Sequence, residues 1–541
     1  MKRYLLLIIV IAAALRLYLI GTNPPSLNWD EISHGYNAYS ILKTGKDEWG
    51  VAFPSIFRAY GDYKLPAYIY LTAVSEQFFG LTAQAIRLPS VLGGVGTVIF
   101  TYLLVMELTK KNRTVSLVAS FLVAVEPWSL FLSRGAFEAN LSLFFIVSGV
   151  YFFLKAFQSA KYLVPSAVLL GFSVWTYNSA RIFIPLFVAV LVLIYRKELK
   201  ALFNRSKKLF AFSGLFFALF MIPMFYQLVN PVGLARYGKV AIINEGAVAK
   251  INEARGASGL PQFFNRLVNN KATYFTKEFV KNWTTHYLPD FLFLKGGSHY
   301  QFSIPGRGLL YLIDLPFLVL GIIFLLKERS KAGLVLISWF ILGAVPSSLT
   351  NEAPHVLRAI TMLPVPMIIS AYGIGKIKRS MAIPVYIGFI VLFTENYLIH
   401  YFTDYRNNYS WSWQYGYKEI VQYAKDNSAD YDKIVVTKKY GEPHEFFLFF
   451  NLWDPVKFRE DPNLIRFNQS GWYWVDRFDK FYFVNDWQMG QLKLESGGEI
   501  DCLDSKCLLI TSPGNIPPGK WSKIETINFL DGKSAFEIYE N

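Results

Sequence analysis

Two adjacent carboxylates, Asp30 and Glu31, open a polar, aromatic stretch at residues 27–66 that is wedged between hydrophobic runs. A carboxylate pair just past the end of a membrane helix lies where water gives way to lipid, so it can be ionised without the full cost of charge in hydrocarbon. There it can serve as a base toward a group arriving from either phase. The plainer alternative is that Asp30 caps a helix beginning at Glu31 and takes no part in chemistry. The same stretch supplies Arg58, Asp62 and Lys64; SRGAFEAN supplies Arg134 and Glu138; a short later loop supplies Arg181; and NEAPHVLRAITMLP supplies Glu352, His355 and Arg358. Singly, each reads as an ordinary interface residue, because long cations snorkel and carboxylates cap helices. Together, cations suit a lipid phosphate and a carboxylate among them suits removal of a proton from a hydroxyl. The implied reaction is group transfer from a phosphate-linked lipid to an acceptor.

The elements that must position these residues are membrane helices. Of 541 residues, 53% are hydrophobic and 17% aromatic, and the mean hydropathy is +0.30, which fits a polytopic membrane protein with a soluble appendage. Eleven apolar runs are expected to span: 1–20, 83–108, 114–131, 141–157, 163–175, 182–195, 209–228, 309–326, 334–349, 357–372 and 383–400. The first has the basic start of a signal peptide but carries Arg16 and Tyr18 where a small-residue cleavage site would be, and reads as a retained helix. With the N-terminus inside, every inner loop holds at least two Lys or Arg, among them Lys376, Lys378 and Arg379. The formal net charge of +15 therefore follows topology, and a nucleic-acid partner is not indicated. Asp30 and the C-terminal region fall on the extracytoplasmic face.

Within the outer loops at 21–82 and 229–307, amphipathic stretches such as 32–43, 66–79 and 260–279 are expected to lie in the interface. The membrane part is assigned to residues 1–400 and a soluble extracytoplasmic α/β domain to 401–541. In the latter, 417–425 and 443–450 read as helices, 433–437, 478–484 and 508–511 as strands, and 521–539 as a hairpin turning at Asp531-Gly532. Cys502 and Cys507, the two cysteines of the chain, fit a small loop staple on the side where disulfides persist, with two free thiols as the alternative.

An N-terminal span followed by WDE, then GDYKLP, AIRLPSVLGG, LSRGAFEAN and PHVLRAITMLP, resembles the GT-C glycosyltransferases, and most of all the group of protein O-mannosyltransferases and lipid A aminoarabinose transferases. The resemblance covers residues 1–401. It implies a polytopic α-helical GT-C fold, a polyprenyl-monophosphate-linked sugar as donor, an extracytoplasmic active site and inversion at the anomeric carbon. Carried over by position, it makes Asp30 the catalytic aspartate, with Glu31 supporting it or contacting the acceptor. Lys64 and Arg134 become candidates for the donor phosphate, with His355 and Arg358 in a late loop that closes over the donor. From the residues themselves Arg58 is added to the phosphate candidates, and Glu138, Asp62, Tyr63 and Tyr36 are candidates for acceptor or sugar contacts. Leu65 stands where the family pattern has the first proline of a KPP element.

The residues read by themselves agree. Asp30 would take the acceptor proton, and Lys64, Arg134 and Arg358 would stabilise charge growing on the departing phosphate. No cofactor is required. Asp30 and His34, four apart, could share a helix face as ligands of a divalent metal, yet spacing fixes no third ligand. Trp29, Tyr36, Tyr39, Trp49, Tyr60 and Tyr63 read as an interface belt, one or two of which could stack on a sugar. The expected partners are the donor, an extracytoplasmic protein, glycan or lipid acceptor, and membrane lipids. The C-terminal domain is expected to bind or position the acceptor. The competing readings are a flippase for a lipid-linked sugar, an oligosaccharide ligase using a pyrophosphate-linked lipid, and a membrane scaffold whose exterior domain is the working part.

Overall fold

The computed structural model of the chain describes residues 2–61, 63–230, 238–377 and 381–541, so Asp62, Lys378 and Arg379 lie outside the described residues. The molecule is mainly helical. After α1 (Lys2–Leu17) come α2 (Trp29–Thr44), a two-residue hairpin of β1 (Phe57–Arg58) and β2 (Tyr63–Lys64), α3 (Pro66–Phe79) and the long α4 (Ala83–Leu108). All eleven apolar runs carry helix, several of them broken where proline withholds an N–H from the ladder. The run 114–131 is split into α5 (Arg113–Val125) and α6 (Pro127–Leu132) at Pro127, and 357–372 into Arg358–Met362 and Val365–Gly375 around Pro364. By length and composition, six of the described helices can cross a membrane, or seven if the pair Asn178–Ile194 and Arg196–Arg205, bent by 83°, counts as one span. The chain is a multi-pass membrane protein.

Two compact units divide the molecule, and neither is continuous in sequence: one contains residues 1–18 and 90–397, the other 19–89 and 398–541. In the first, helices approach through small residues, as expected where lipid gives no hydrophobic drive for association. A Cβ on Gly321 would stand 2.1 Å from the Ile369 carbonyl oxygen, and one on Gly373 would stand 2.0 Å from that of Phe317, so the helices Asp314–Glu328 and Val365–Gly375 touch backbone to backbone.

In the second unit, a seven-stranded mixed sheet has the order β4-β5-β6-β3-β7-β9-β8. Its strands are β3 (Lys433–Thr437), β4 (Ile465–Gln469), β5 (Trp472–Phe478), β6 (Phe481–Val484), β7 (Cys507–Thr511), β8 (Ser522–Asn528) and β9 (Ser534–Glu540). Central β3 pairs in parallel with β6 and β7, Ile434 opposite Phe481 and Leu508; the other pairings are antiparallel. Ile434, Val435 and Val436 are fully buried, as suits a β-branched run in the middle of a sheet. The β4–β5 hairpin was not legible in sequence, because IRFNQ has too few apolar residues to alternate; the stretch 478–484, expected as one strand, is interrupted, with Phe478 ending β5 and residues 479–480 forming the turn into β6. Cys502 and Cys507 form a disulfide at the start of β7.

The start of α2 fixes the direction of both carboxylates. Asn28, not Asp30, is the N-cap: its side chain accepts the Glu31 N–H at 2.9 Å, and the Glu31 carboxylate accepts the Asn28 N–H at 3.2 Å, a reciprocal capping box. Glu31 also receives both arms of the Arg87 guanidinium, at 2.8 and 2.9 Å, while Arg87 donates further to the carbonyls of Ile20, Pro24 and Ser26. Arg87 is 0% and Glu31 1% exposed. Further along α2, Gly35 leaves room for Ile86 and Phe449, whose side-chain atoms would lie 2.6 and 2.9 Å from a Cβ there.

Removing one partner of a buried, hydrogen-bonded ion pair costs about 3–5 kcal/mol, whereas an exposed pair contributes about 0–1 kcal/mol. Glu31→Gln is therefore expected to lower thermal stability in detergent sharply, and Asp30→Asn, next to it but largely exposed, to lower it little. Equal shifts in the two melting curves would refute this division.

Candidate active site

Asp30 lies in the first turn of α2, where the positive end of the helix dipole favours an anion. Its side chain is 58% exposed, and Lys64 Nζ stands 2.6 Å from its Oδ1 and donates to its backbone carbonyl at 3.2 Å. Lys64 itself is 8% exposed, so a nearly buried ammonium is set against an accessible carboxylate. The hairpin delivers it: Lys64 pairs with Phe57 across β1 and β2, and the chain then turns into α3 at Pro66. Leu65, the departure from the family pattern, has φ −78° and ψ 147°, a conformation that proline also adopts. The lysine therefore keeps its approach to Asp30 without the first proline.

One turn on, His34 is buried, its ring 5.1 Å from that of Tyr68. Burial, together with the neighbouring Lys64 charge, holds its pKa well below the usual range, so it is neutral beside the pair. Among the described residues no group of three or more His, Cys, Asp or Glu side chains is arranged to hold a metal ion.

Several sequence candidates in this unit are occupied elsewhere. Glu31 closes the cap and the Arg87 pair, so acceptor contact is not available to it as placed. Tyr36 is fully buried, donates to the Trp453 carbonyl at 3.3 Å and packs on Phe458. Arg58 lies 4.8 Å from the Trp49 ring and 4.9 Å from that of Tyr473, packed on a pair of aromatics that touch each other. Tyr63, in β2, is half-buried.

Beside the hairpin runs a narrow cleft whose lining includes Glu48, Trp49, Tyr60, Glu445, Arg466 and Tyr473. Glu48 and Glu445 are both buried in its wall, and burial raises both above the ordinary glutamate range. Burial likewise pushes Glu442 up to about 7 and His444 well down. Arg466 lies 4.3 Å from the Trp49 ring and donates to the Glu48 carbonyl at 3.2 Å. Sequence reasoning missed this group, since its members are some 400 positions apart and EPHE reads as an ordinary helix start.

The remaining candidates belong to the other unit. Arg134 is 1% exposed and donates to the carbonyls of Leu15 and, at 2.7 Å, Tyr18, where α1 ends. Glu138, half-buried, opens the helix Glu138–Ala156. Arg358 is 14% exposed, bonds Thr350 at 3.0 Å and pairs with the exposed Glu352 at 2.6 Å, while the N–H of His355 donates to Ser347 at 3.1 Å. The Phe302 ring is 5.1 Å from that of His355 and 5.7 Å from that of Phe137, so it joins the late loop to SRGAFEAN. Arg181 donates to Gln227 at 2.8 Å. A pair not foreseen in sequence, Glu126 and Asp314, is buried among the apolar helices, where Tyr311 N–H donates to Glu126 at 3.0 Å and Tyr386 donates to Asp314.

Comparison with known proteins agrees with this architecture. Residues 64–226, beginning at Lys64 itself, match the family model of dolichyl-phosphate-mannose-protein mannosyltransferase. No curated protein sequence matches the chain. Among solved structures, ArnT from Cupriavidus metallidurans bound to undecaprenyl phosphate aligns over 100% of this chain and 98% of its own, with TM-score 0.53 and 11% identity. Its apo state gives TM-score 0.54 and 10% identity over the same shares. The archaeal oligosaccharyltransferase AglB from Archaeoglobus fulgidus aligns with TM-score 0.49 and 14% identity over 83% of this chain; the match spans 63% of AglB. The S. cerevisiae Pmt1-Pmt2 complex aligns over 43% of this chain and 34% of its own, with 21% identity and TM-score 0.34. The chain thus has the fold of ArnT, and it resembles the GT-C glycosyltransferases of the O-mannosyltransferase and ArnT type.

Proposed function

We propose that the protein is a membrane glycosyltransferase that moves a sugar from a polyprenyl-monophosphate-linked donor to an acceptor hydroxyl in a single inverting displacement. The observation that carries this reading is the accessible Asp30 carboxylate held by a nearly buried Lys64 at 2.6 Å. The fold shared with ArnT, which has been seen bound to undecaprenyl phosphate, supports the class of donor. In this reading all eleven apolar stretches cross the bilayer with the basic loops inside, so that Asp30 and the C-terminal sheet face the extracytoplasmic side.

Asp30 takes the proton of the acceptor hydroxyl as that oxygen forms its bond to the anomeric carbon. The bond from that carbon to the phosphate oxygen breaks, and its electron pair leaves with the lipid phosphate. Lys64 then has two anions to choose between: it holds Asp30 before the donor arrives and turns to the phosphate as charge grows there. Releasing Asp30 from the ammonium also makes the carboxylate a stronger base. In the other unit, Arg358, its guanidinium linked to the exposed Glu352, remains a donor-phosphate candidate by type, with His355 in the same late loop. Arg134 supports that site by fixing the end of α1, and Glu138, Asp62 and Tyr63 are left to the sugar or acceptor. No metal is needed, because the charge that develops is met by cations of the chain.

The flippase reading has one observation in its favour, the buried Glu126–Asp314 pair, since ionisable residues deep among apolar helices often mark a transport path. Purified protein supplied with a panel of polyprenyl-phosphate sugars and total cell-envelope acceptor separates the two. Transferred label is expected, with Asp30→Asn lowering kcat by about 10²–10⁴-fold at unchanged fold. Lipid movement across proteoliposomes without any transfer would overturn the enzyme reading. Lys64→Ala is expected to lower kcat by about 10²–10³-fold, the usual effect of losing one group that stabilises transition-state charge, with Lys64→Arg keeping part of the rate; undiminished turnover in Lys64→Ala would remove this lysine from the mechanism.

A further inference from the structure

The hairpin that carries Lys64 is held at its tip from two sides. Tyr60, between β1 and β2, has its carbonyl bonded by the Tyr473 N–H of β5 at 2.6 Å, and its hydroxyl donates to the Trp29 carbonyl at 2.8 Å. Trp29 immediately precedes Asp30, and its own N–H donates to Gln414 at 3.1 Å. The Tyr60 ring stacks on Trp472 at 6.1 Å with 18° between planes, and Trp472 Nε1 donates to Glu442 at 2.5 Å. Beside it, Arg58 packs on the rings of Trp49 and Tyr473, which meet edge to face. Tyr60 is 7% exposed, and burial holds its phenol well above the usual range, so it is a permanent donor. One side chain therefore ties the strand that delivers the lysine to the helix turn that delivers the aspartate, and the C-terminal sheet holds that side chain in place.

We propose that Tyr60 is a positioning residue that sets the spacing of the Asp30–Lys64 pair, and that β5, through Tyr473 and Trp472, is the frame that holds it. This gives the C-terminal sheet a part in catalysis separate from acceptor binding, and it rests on the glycosyltransferase reading only for its effect on rate. A hydrogen bond through a phenol bridges two segments without adding a charge that would compete for the donor phosphate. Loss of the hydroxyl removes the hydrogen bond that ties the hairpin to the Trp29 carbonyl; the hairpin is then free to drift, and drift takes the ammonium away from Asp30. The carboxylate pKa then rises for want of its cation. Because the base must be ionised to act, the acid limb of the kcat–pH profile moves to higher pH.

The test is Tyr60→Phe in the full-length protein, read in two independent ways. Acylation of Lys64 by an amine-reactive reagent, followed by mass spectrometry, reports the pair with no assumption about activity; labelling several-fold faster than in the parent is expected. Steady-state transfer is expected to show kcat about tenfold lower, the donor KM within twofold, and the acid limb displaced upward. Trp472→Phe, which keeps an aromatic ring but loses the bond to Glu442, is expected to give the same signs at smaller size, and it stands in should Tyr60→Phe fold poorly. Unchanged Lys64 labelling with unchanged kcat in these variants overturns the proposal. Faster labelling in a protein whose parent transfers no sugar leaves the clamp standing and sinks the glycosyltransferase reading instead.

Discussion

A guanidinium buried at the start of α2 decides where the chemistry can be. Arg87 cannot give up its proton, so its burial is tolerable only if every arm finds an acceptor, and it finds the Glu31 carboxylate and the carbonyls of Ile20, Pro24 and Ser26. Those acceptors are the turn that leads into α2 and the third residue of its first turn. Satisfying Arg87 therefore locks the register of the helix start, and with it the direction in which Asp30 points. Trp413 adds an aromatic face 5.9 Å from the guanidinium carbon.

Neighbours on a helix project about 100° apart, and that rotation separates two chemically similar carboxylates. Glu31 turns inward, where it is needed as an anion for Arg87 and as an acceptor for the helix cap. Asp30 turns outward, more than half exposed, with one cation against it. A carboxylate that is more than half exposed stays open to a group arriving from outside; one that completes a buried bidentate pair does not without breaking the fold. The lysine is constrained in the opposite sense, nearly buried and fed in by a short hairpin.

The apolar periodicity exposed the helices because burial in lipid demands long apolar runs, and all eleven runs are helical. Asp30 and Lys64 stood out in sequence as candidates, because charges at the edge of a membrane span are few and their types suggest a base and a phosphate partner, and the structure pairs them. What escaped was pairwise. The motif N-W-D-E already spelled a capping box with Asn28 as cap and Glu31 three residues on, which excludes Asp30 as the cap, but Arg87 as the partner of Glu31 lies 56 positions away and no local pattern announces it. Tyr60 read as one aromatic of an interface belt, since its two hydrogen-bonding neighbours, Trp29 and Tyr473, become neighbours only when distant segments fold together. The surroundings of Arg58 and Tyr36 escaped for the same reason: type and location suggested ligands, and the structure sets them against aromatic rings and a backbone carbonyl.

That dependence on distant segments is affordable on physical grounds. Closing a loop costs roughly (3/2)RT ln n, so each doubling of the intervening chain adds only about 0.6 kcal/mol. The long helical stretch between residues 89 and 398 therefore weighs little against the contacts that residues 19–89 make with residues 398–541. Those contacts are also obligatory. The Trp29 N–H is met by Gln414, the Tyr60 carbonyl by Tyr473 and the Glu48 carbonyl by Arg466, and backbone groups buried without such partners would destabilise the unit by about 1–3 kcal/mol each. A carboxylate kept accessible beside a lysine kept buried thus needs a frame drawn from the far end of the chain, because the hairpin between them, two residues to each strand, has too few internal hydrogen bonds to hold its own shape.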